Sequence, residues 1–274
     1  MFKNLLVVLE ETPEVVTAYS VSLAKRLGAR ATVIRPRRDG AGLADGSIEA
    51  RLEMARGDAD SRKAKAQEAI EAYGEAAKAA GVDAELLFPD GGADPRRDQV
   101  ADFARVFDFV VVGQPEPGRA PTSDEIAGQL LEHSGRPVLV VPAIQRSEAT
   151  FATIAVAWDG SATSARALGD AMPILERADK VEIVSITGPN TAPAVVQGGE
   201  RIAARLSRGG VNAAFKRLPS EEDAANALLS YIADIGADML VAGGYGHSRL
   251  REALFGGVTR TLLSSQTLPL FLAR

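Results

Sequence analysis

The chain contains no cysteine. That excludes disulfides, thiolate nucleophiles and cysteine-ligated metals, and it fits a reducing compartment. Histidine is nearly as scarce. His133 and His247 are the only two, and neither stands in a His/Asp/Glu cluster at metal-ligand spacing. No apolar run approaches the ~20 residues of a membrane span. The opening segment, Met1 to Thr12, has one lysine and an apolar run cut short at Glu10 and Glu11. A signal peptide needs a longer apolar core and a small-residue cleavage site. An excess of positive charge is missing too: 31 Lys and Arg against 36 Asp and Glu give a net charge of −5. Nothing therefore favours a nucleic-acid backbone or an anionic membrane. Neither a Gly-x-Ser-x-Gly elbow nor a P-loop Lys-Ser/Thr occurs, which leaves no nucleophile and no magnesium site for phosphate hydrolysis. The expectation is a soluble cytoplasmic protein with no metal centre and no catalytic residues.

What is present is ample core material. Hydrophobic residues make up 46% and charged residues 24% of 274, enough for one large domain or two ordinary ones. Internal similarity favours two. Phe2 to Glu10 matches Phe151 to Asp159, with Leu5 on Ile154, Val7 on Val156 and Glu10 on Asp159. Phe107-Asp-Phe-Val-Val-Val-Gly113 matches Ala237-Asp-Met-Leu-Val-Ala-Gly243, and Arg136 to Val141 matches Leu268 to Ala273. Three landmarks in one order read as a duplication. The join falls in the polar stretch 143–150, giving domains 1–146 and 151–274.

Apolar strands alternate with helical stretches in each half. The first half reads as strands at 5–9, 31–35, 85–88, 109–112 and 138–141, with helices near 14–27, 58–80, 96–105 and 124–133. The second reads as strands at 154–158, 181–186, 213–218, 239–242 and 270–273, with helices near 163–176, 194–207, 223–235 and 258–264. Strands without polar alternation, separated by helices, imply parallel sheets covered on both faces. The fold class is α/β: two doubly wound, parallel five-stranded sheets in tandem. The short apolar runs 138–141 and 270–273 are edges able to pair two domains, or two chains.

Two segments carry chemistry. In such sheets a ligand binds beyond the carboxyl ends of the strands, where strand order reverses. One segment is Gly243 to Thr259, GGYGHSRLREALFGGVT, directly behind the strand that ends at Ala242. Glycines let the backbone come close to a ligand, and free N–H groups at a helix start face negative charge. The other is VAWDGS, Val156 to Ser161, which ends a strand with Asp159 and starts a helix. Asp, Gly and Ser are also ordinary turn and cap residues, and Ser161 or Thr163 suits an N-cap. Both segments lie at the carboxyl edge of one sheet.

Taken together these features resemble a tandem universal stress protein, one domain per half, with the adenine nucleotide alpha hydrolase-like fold. The family motif G-x-x-G-x(9)-G-(Ser/Thr) falls on Gly243, Gly246 and Gly256. The resemblance implies ATP or another adenine nucleotide in the second half. Asp159 would contact the nucleoside end, Ala157 would line the adenine slot, and Ile186 would meet the base edge through its backbone. Ala242, Gly243 and Gly246 would pass ribose and phosphate. Gly256, Gly257 and Val258 would offer backbone N–H groups to phosphate, and Thr259 a hydroxyl. It further implies ligand-dependent signalling or protection, and pairing into a dimer or an intramolecular pseudo-dimer.

Gly257 stands where the family has Ser or Thr. The lost hydroxyl is worth about 0.5–1.5 kcal/mol as a neutral hydrogen bond, with Arg249 and Arg251 as candidates to compensate. An interaction module with a decayed site, and a weak ATPase, stay open as other readings. The first half departs further. Gln114-Pro115-Glu116 replaces Gly244-Tyr245-Gly246, Asp124 and Glu125 align with Gly256 and Gly257, and Glu10 replaces Asp159. Each carboxylate ~4 Å from a phosphate charge costs about 1 kcal/mol in water and up to about 4 at an effective dielectric of 20. A helix N-terminus returns only about 0.3–1 kcal/mol, so the first half is expected not to bind ATP. Trp158 suits packing better than a base-flanking role, and Arg35 to Arg38 reads as a solvated loop.

Overall fold

Apolar runs rich in Val, Ile and Leu form the central strands, as their unbroken hydrophobicity predicts, whereas the strands at 84–86 and 213–219 mix polar and apolar residues. The computed structural model of the chain describes residues 1–10, 12–36, 48–88, 99–114, 126–220, 224–244 and 258–274. In the first half the strands are β1 (Asn4–Val8), β2 (Arg30–Ile34), β3 (Ala84–Leu86), β4 (Phe109–Gly113) and β5 (Val138–Val141). Its helices are α1 (Pro13–Leu27), α2 (Ile48–Ala80), α3 (Val100–Ala104) and α4 (Ile126–His133). The second half has β6 (Thr153–Ala157), β7 (Lys180–Thr187), β8 (Ala213–Pro219), β9 (Met239–Gly243) and β10 (Leu270–Ala273). Its helices are α5 (Ala162–Leu175), α6 (Pro193–Arg208), α7 (Ala224–Asp234) and α8 (Val258–Ser265).

The largest departure from expectation within an element is α2, which starts at Ile48 rather than Asp58 and runs through Gly57. The segment Ile48–Arg56 contains Ala, Arg, Glu, Leu and Met, all good helix formers, and a single glycine costs only about 1 kcal/mol. The expected starts of α3, α4 and α7, at Arg96, Asp124 and Asp223, lie outside the described residues.

The strand order is β3-β2-β1-β4-β5-β10-β9-β6-β7-β8. The second half thus repeats the order of the first, and every neighbouring pair is parallel except β5 and β10, which run antiparallel. The two expected five-stranded sheets are therefore one continuous sheet of ten strands. Val138 to Val141 and Leu270 to Ala273 are no longer edges: they pair with each other at its centre, with Phe271 opposite Leu139. Both strands are buried along their whole length and carry no charge. Pairing them inside the chain covers two apolar edges that would otherwise expose unpaired N–H and C=O groups.

One face of the sheet packs Leu5, Val7, Ile154, Val156, Val241 and Phe271 against buried residues of α1, α2, α5 and α6. The other packs Leu6, Val110, Ala155, Leu240 and Leu270 against α3, α4, α7 and α8. The core crosses the junction. Phe2 and Phe109 of the first half lie edge-on at 4.7 Å, and Phe109 meets Phe271 of the second at 5.8 Å. The connecting segment is tied down as well: Ala149 donates its N–H to Ser22 Oγ at 3.1 Å, and Phe151 is buried beneath Arg26.

The Asp of the matched landmark has a structural task in both halves. Asp108 accepts from the backbone N–H groups of Lys3 and Asn4, at 2.5 and 2.8 Å. Asp238 accepts from Thr153 N at 2.7 Å and Thr150 Oγ1 at 2.6 Å. Each carboxylate thereby anchors the start of the neighbouring first strand of its half.

Candidate functional site

The chain leaves β6 towards β7 and β8 on one side, then returns to place β9 on the other. The carboxyl ends of β6 and β9 therefore form the fork at which doubly wound sheets bind ligands. The register sets Val156 opposite Val241, which brings the following residues, Ala157 and Ala242, side by side. Ala157 and Ile186 are half-buried, Ala242 is buried, and all three lie on the face covered by α7 and α8.

Asp159, Gly160 and Ser161 turn the chain from β6 into α5. Gly160 takes φ 79°, a conformation glycine adopts without penalty. Ser161 is the N-cap: its hydroxyl oxygen accepts from Ser164 N at 3.1 Å, and Ser164 Oγ donates back to Ser161 O at 3.0 Å. The Ser161 N–H in turn donates to Asp159 Oδ1 at 2.9 Å. Asp159 is exposed, and its pKa is held below the ordinary aspartate value. Partial burial of the carboxyl pushes the other way, but hydrogen bonds from Ser161 and Ser164 to the charged form outweigh it. The carboxylate is thus ionised at neutral pH and fixed at the mouth of the fork.

Gly243, the last residue of β9, lies against the first turn of α5. A Cβ there would sit 2.6 Å from Ser164 N and 2.7 Å from Thr163 Oγ1. The requirement for glycine at this position is set by the helix whatever else the fork holds. Gly244 is close too, but to a side chain: a Cβ there would meet the end of Leu131 of α4, in the other half of the chain. Thr259 is buried in the first turn of α8 and Val258 begins that helix. Gly246, His247, Arg249, Arg251, Gly256 and Gly257 lie outside the described residues.

Trp158 turns away from the fork. Its indole N–H donates to Val195 O at 3.0 Å and its ring packs on Gly198 of α6, on the face opposite Ala157. Ser185, buried beside it, donates to Trp158 O at 2.7 Å. The residues that shape this corner and were not singled out from sequence are Ser164, Ser185 and Leu131; Thr163 was read only as a possible cap and Gln114 only as a departure from the glycine motif. Ser164 was the accessible one, three residues after a serine N-cap.

At the equivalent fork of the first half, between β1 and β4, Glu10 is half-buried and Thr12 takes φ 42°, unusual for a β-branched residue. Gln114 is buried, and its side-chain N–H groups donate into the second half. Asp124 and Glu125 lie outside the described residues. Arg35 donates to Lys65 O of α2 at 3.1 Å, whereas Arg37 and Arg38 fall outside. Among the described residues no His, Cys, Asp or Glu cluster is arranged to hold a metal, and no helix is long and apolar enough to cross a membrane.

Residues 150–274 match the model of the universal stress protein family. No curated protein matches the chain. Over its whole length the fold is that of a universal stress protein from Archaeoglobus fulgidus DSM 4304, with a TM-score of 0.73 and 17% identity, covering 99% of this chain and 96% of that one. A functionally unassigned protein from Pseudomonas aeruginosa PAO1 is similar at a TM-score of 0.56 and 12% identity, over 99% and 92% of the two chains. A universal stress protein solved in complex with cAMP covers 45% of this chain and 97% of its own, at 20% identity and a TM-score of 0.36.

Proposed function

We propose that the second half, residues 151–274, binds an adenine nucleotide, ATP foremost, and that the protein acts by ligand-dependent signalling or protection without catalysing a reaction. The match of this half to the universal stress protein family is the starting premise. The observation that carries the reading is the convergence at one fork: Ala157, Ile186 and Ala242 on one face, the ionised Asp159 at the mouth, and α8 starting from the same edge. In this reading the base lies over Ala157 and Ile186, and Asp159 accepts from ribose hydroxyls. The phosphates face the N-terminus of α8, where Gly256, Gly257 and Val258 offer amides and Thr259 a hydroxyl. An acidic protein then needs no global positive field, because main-chain amides at a helix start and the helix dipole would supply a local one.

The same proposal makes residues 1–146 a duplicated copy without nucleotide, whose role is structural. With β5 and β10 paired inside the chain, the pairing of the two copies is intramolecular. A cytoplasmic location belongs to the proposal as well.

Calorimetric titration of the full chain with ATP, then AMP, tests it. Binding is expected, and Asp159→Ala should weaken it by about 10- to 150-fold, since hydrogen bonds to a charged group are worth about 1.5–3 kcal/mol. No heat with either nucleotide at millimolar concentration would leave an interaction module in its place. Steady release of ADP or AMP would make the protein an ATPase.

A further inference from the structure

The matched positions Gln114 and Gly244 each follow the fourth strand of their half. They make the same backbone bond, Gln114 N to Val141 O at 2.7 Å and Gly244 N to Ala273 O at 2.8 Å. Beyond that they differ. The Gln114 side chain crosses into the second half, where its Nε2 reaches the carbonyls of Leu263 and Ser264 at 3.1 and 3.3 Å, and that of Gln266 at 3.5 Å. Its Oε1 accepts from Ala143 N at 3.2 Å, so both ends of the amide are used. The carbonyls of Leu263 and Ser264 belong to the last turn of α8, where no intrahelical donor remains. Gln114 is thus a C-terminal cap supplied by the other half. Gly244 receives the reciprocal contact: with no side chain of its own, it lets Leu131 of α4 close over the backbone. The first half therefore touches both described flanks of the glycine-rich segment, Gly244 before it and α8 after it.

We propose that Gln114 and Leu131 are positioning residues of the first half, which hold α8 and the end of β9 in place and so set the geometry of the second-half site. In this account the glutamine that replaces a motif glycine in the first half is a device serving its neighbour. The inference rests on the site reading given above, but its mechanical part, the hold on α8, is separable from any ligand.

The substitutions follow from the chemistry of the amide. Gln114→Met keeps the length and removes the donor. Gln114→Glu donates only when protonated. Once ionised it faces carbonyl oxygens at the negative end of a helix dipole. None of the groups that hydrogen-bond to Gln114 is ionisable, since they are all backbone. The readout is amide hydrogen exchange of α8 in the ligand-free full chain, each variant compared with wild type at the same pH. Gln114→Met should exchange at least about tenfold faster at every pH. Gln114→Glu should do so at pH about 8 yet stay within about threefold of wild type at pH about 4, where burial among carbonyl oxygens, which favours the neutral carboxyl, keeps it protonated. A merely space-filling residue would give no such pH profile. Protection of α8 unchanged in Gln114→Met, or a loss in Gln114→Glu that is the same at both pH values, would overturn the proposal.

The Leu131 contact is tested by a double-mutant cycle. Gly244→Ala and Leu131→Ala should each weaken ATP binding, and Leu131→Ala should cost less in the Gly244→Ala background than in wild type, because the added methyl refills part of the space the leucine left. Losses that simply add would refute the contact's role. If wild type binds no ATP, the same cycle is scored by unfolding free energy with the same expected non-additivity. That result would remove the nucleotide assignment and leave the positioning claim standing.

Discussion

Gly243→Ala is the sharpest structural perturbation available at the fork. The added methyl would lie 2.6 Å from Ser164 N and 2.7 Å from the carbonyl carbon of Thr163, whereas ordinary contact begins at 3.4 Å. Both atoms belong to backbone in the first turn of α5, so no side-chain rotation relieves the clash. Either the end of β9 or the capped turn at Ser161 must shift by several tenths of an ångström. Overpacking of this kind costs about 1–3 kcal/mol. Gly169→Ala, in the middle of the same helix, is the matched control. Its methyl would meet nothing within 4 Å, and a helix interior gains about 0.5–1 kcal/mol from the change. Urea unfolding should therefore move the two midpoints in opposite directions, and ATP binding should fall in Gly243→Ala alone. If Gly243→Ala is as stable as wild type and binds as wild type does, the close approach of β9 to α5 is not the constraint described here.

Three further outcomes follow from local chemistry. Ser161→Ala removes the N-cap of α5 and should cost about 0.5–2 kcal/mol. It should also raise the Asp159 pKa towards its ordinary value, read by NMR titration of the carboxyl. Because the folded-state pKa of Asp159 is depressed, its contribution to stability is present above the ordinary aspartate range and is lost as pH falls through the folded value. That acid-side loss should shrink in Ser161→Ala. On β7, Glu182 accepts from the Tyr231 hydroxyl, and Lys180 lies 2.5 Å from the same carboxyl. Burial first, then the bond to Glu182, raises the Tyr231 pKa to about 12. A raised pKa stabilises the fold below pH 10 and is lost as pH climbs towards about 12. The difference in phenolate absorbance between wild type and Tyr231→Phe should titrate near about 12, not at the free tyrosine value. Finally, Asp238→Ala would strand the N–H of Thr153 and the hydroxyl of Thr150, and should lower the unfolding free energy by about 1–3 kcal/mol.

The strands were legible because parallel sheets covered on both faces need unbroken apolar runs, and Val110 to Val112 or Val138 to Val141 permit little else. The duplicated order of elements was legible from landmarks such as Phe107-Asp-Phe and Ala237-Asp-Met, whose aspartates both anchor strand starts. The partner of β5 was not. An apolar edge of four residues states that it must be covered, but β10 of the same chain and β5 of another chain satisfy it equally. Only the shared core of Phe2, Phe109 and Phe271 decides between them. At the fork, Ser161 was visible as cap chemistry, and Asp159 both as turn chemistry and as a candidate ligand contact, since a carboxylate serves either. Trp158 could not be oriented from sequence, because its direction depends on Gly198, forty residues on, leaving room for the indole. Gln114 was visible only as a departure from glycine. Its use, capping a helix 149 residues away, is a tertiary fact that no local pattern encodes.

The most direct test of the account is a crystal of the full chain soaked in ATP. The account predicts adenine over Ala157 and Ile186, a ribose hydroxyl hydrogen-bonded to Asp159, and phosphate oxygens at the N-terminus of α8. A fork filled by the chain's own side chains, with no nucleotide at saturating concentration, would contradict it.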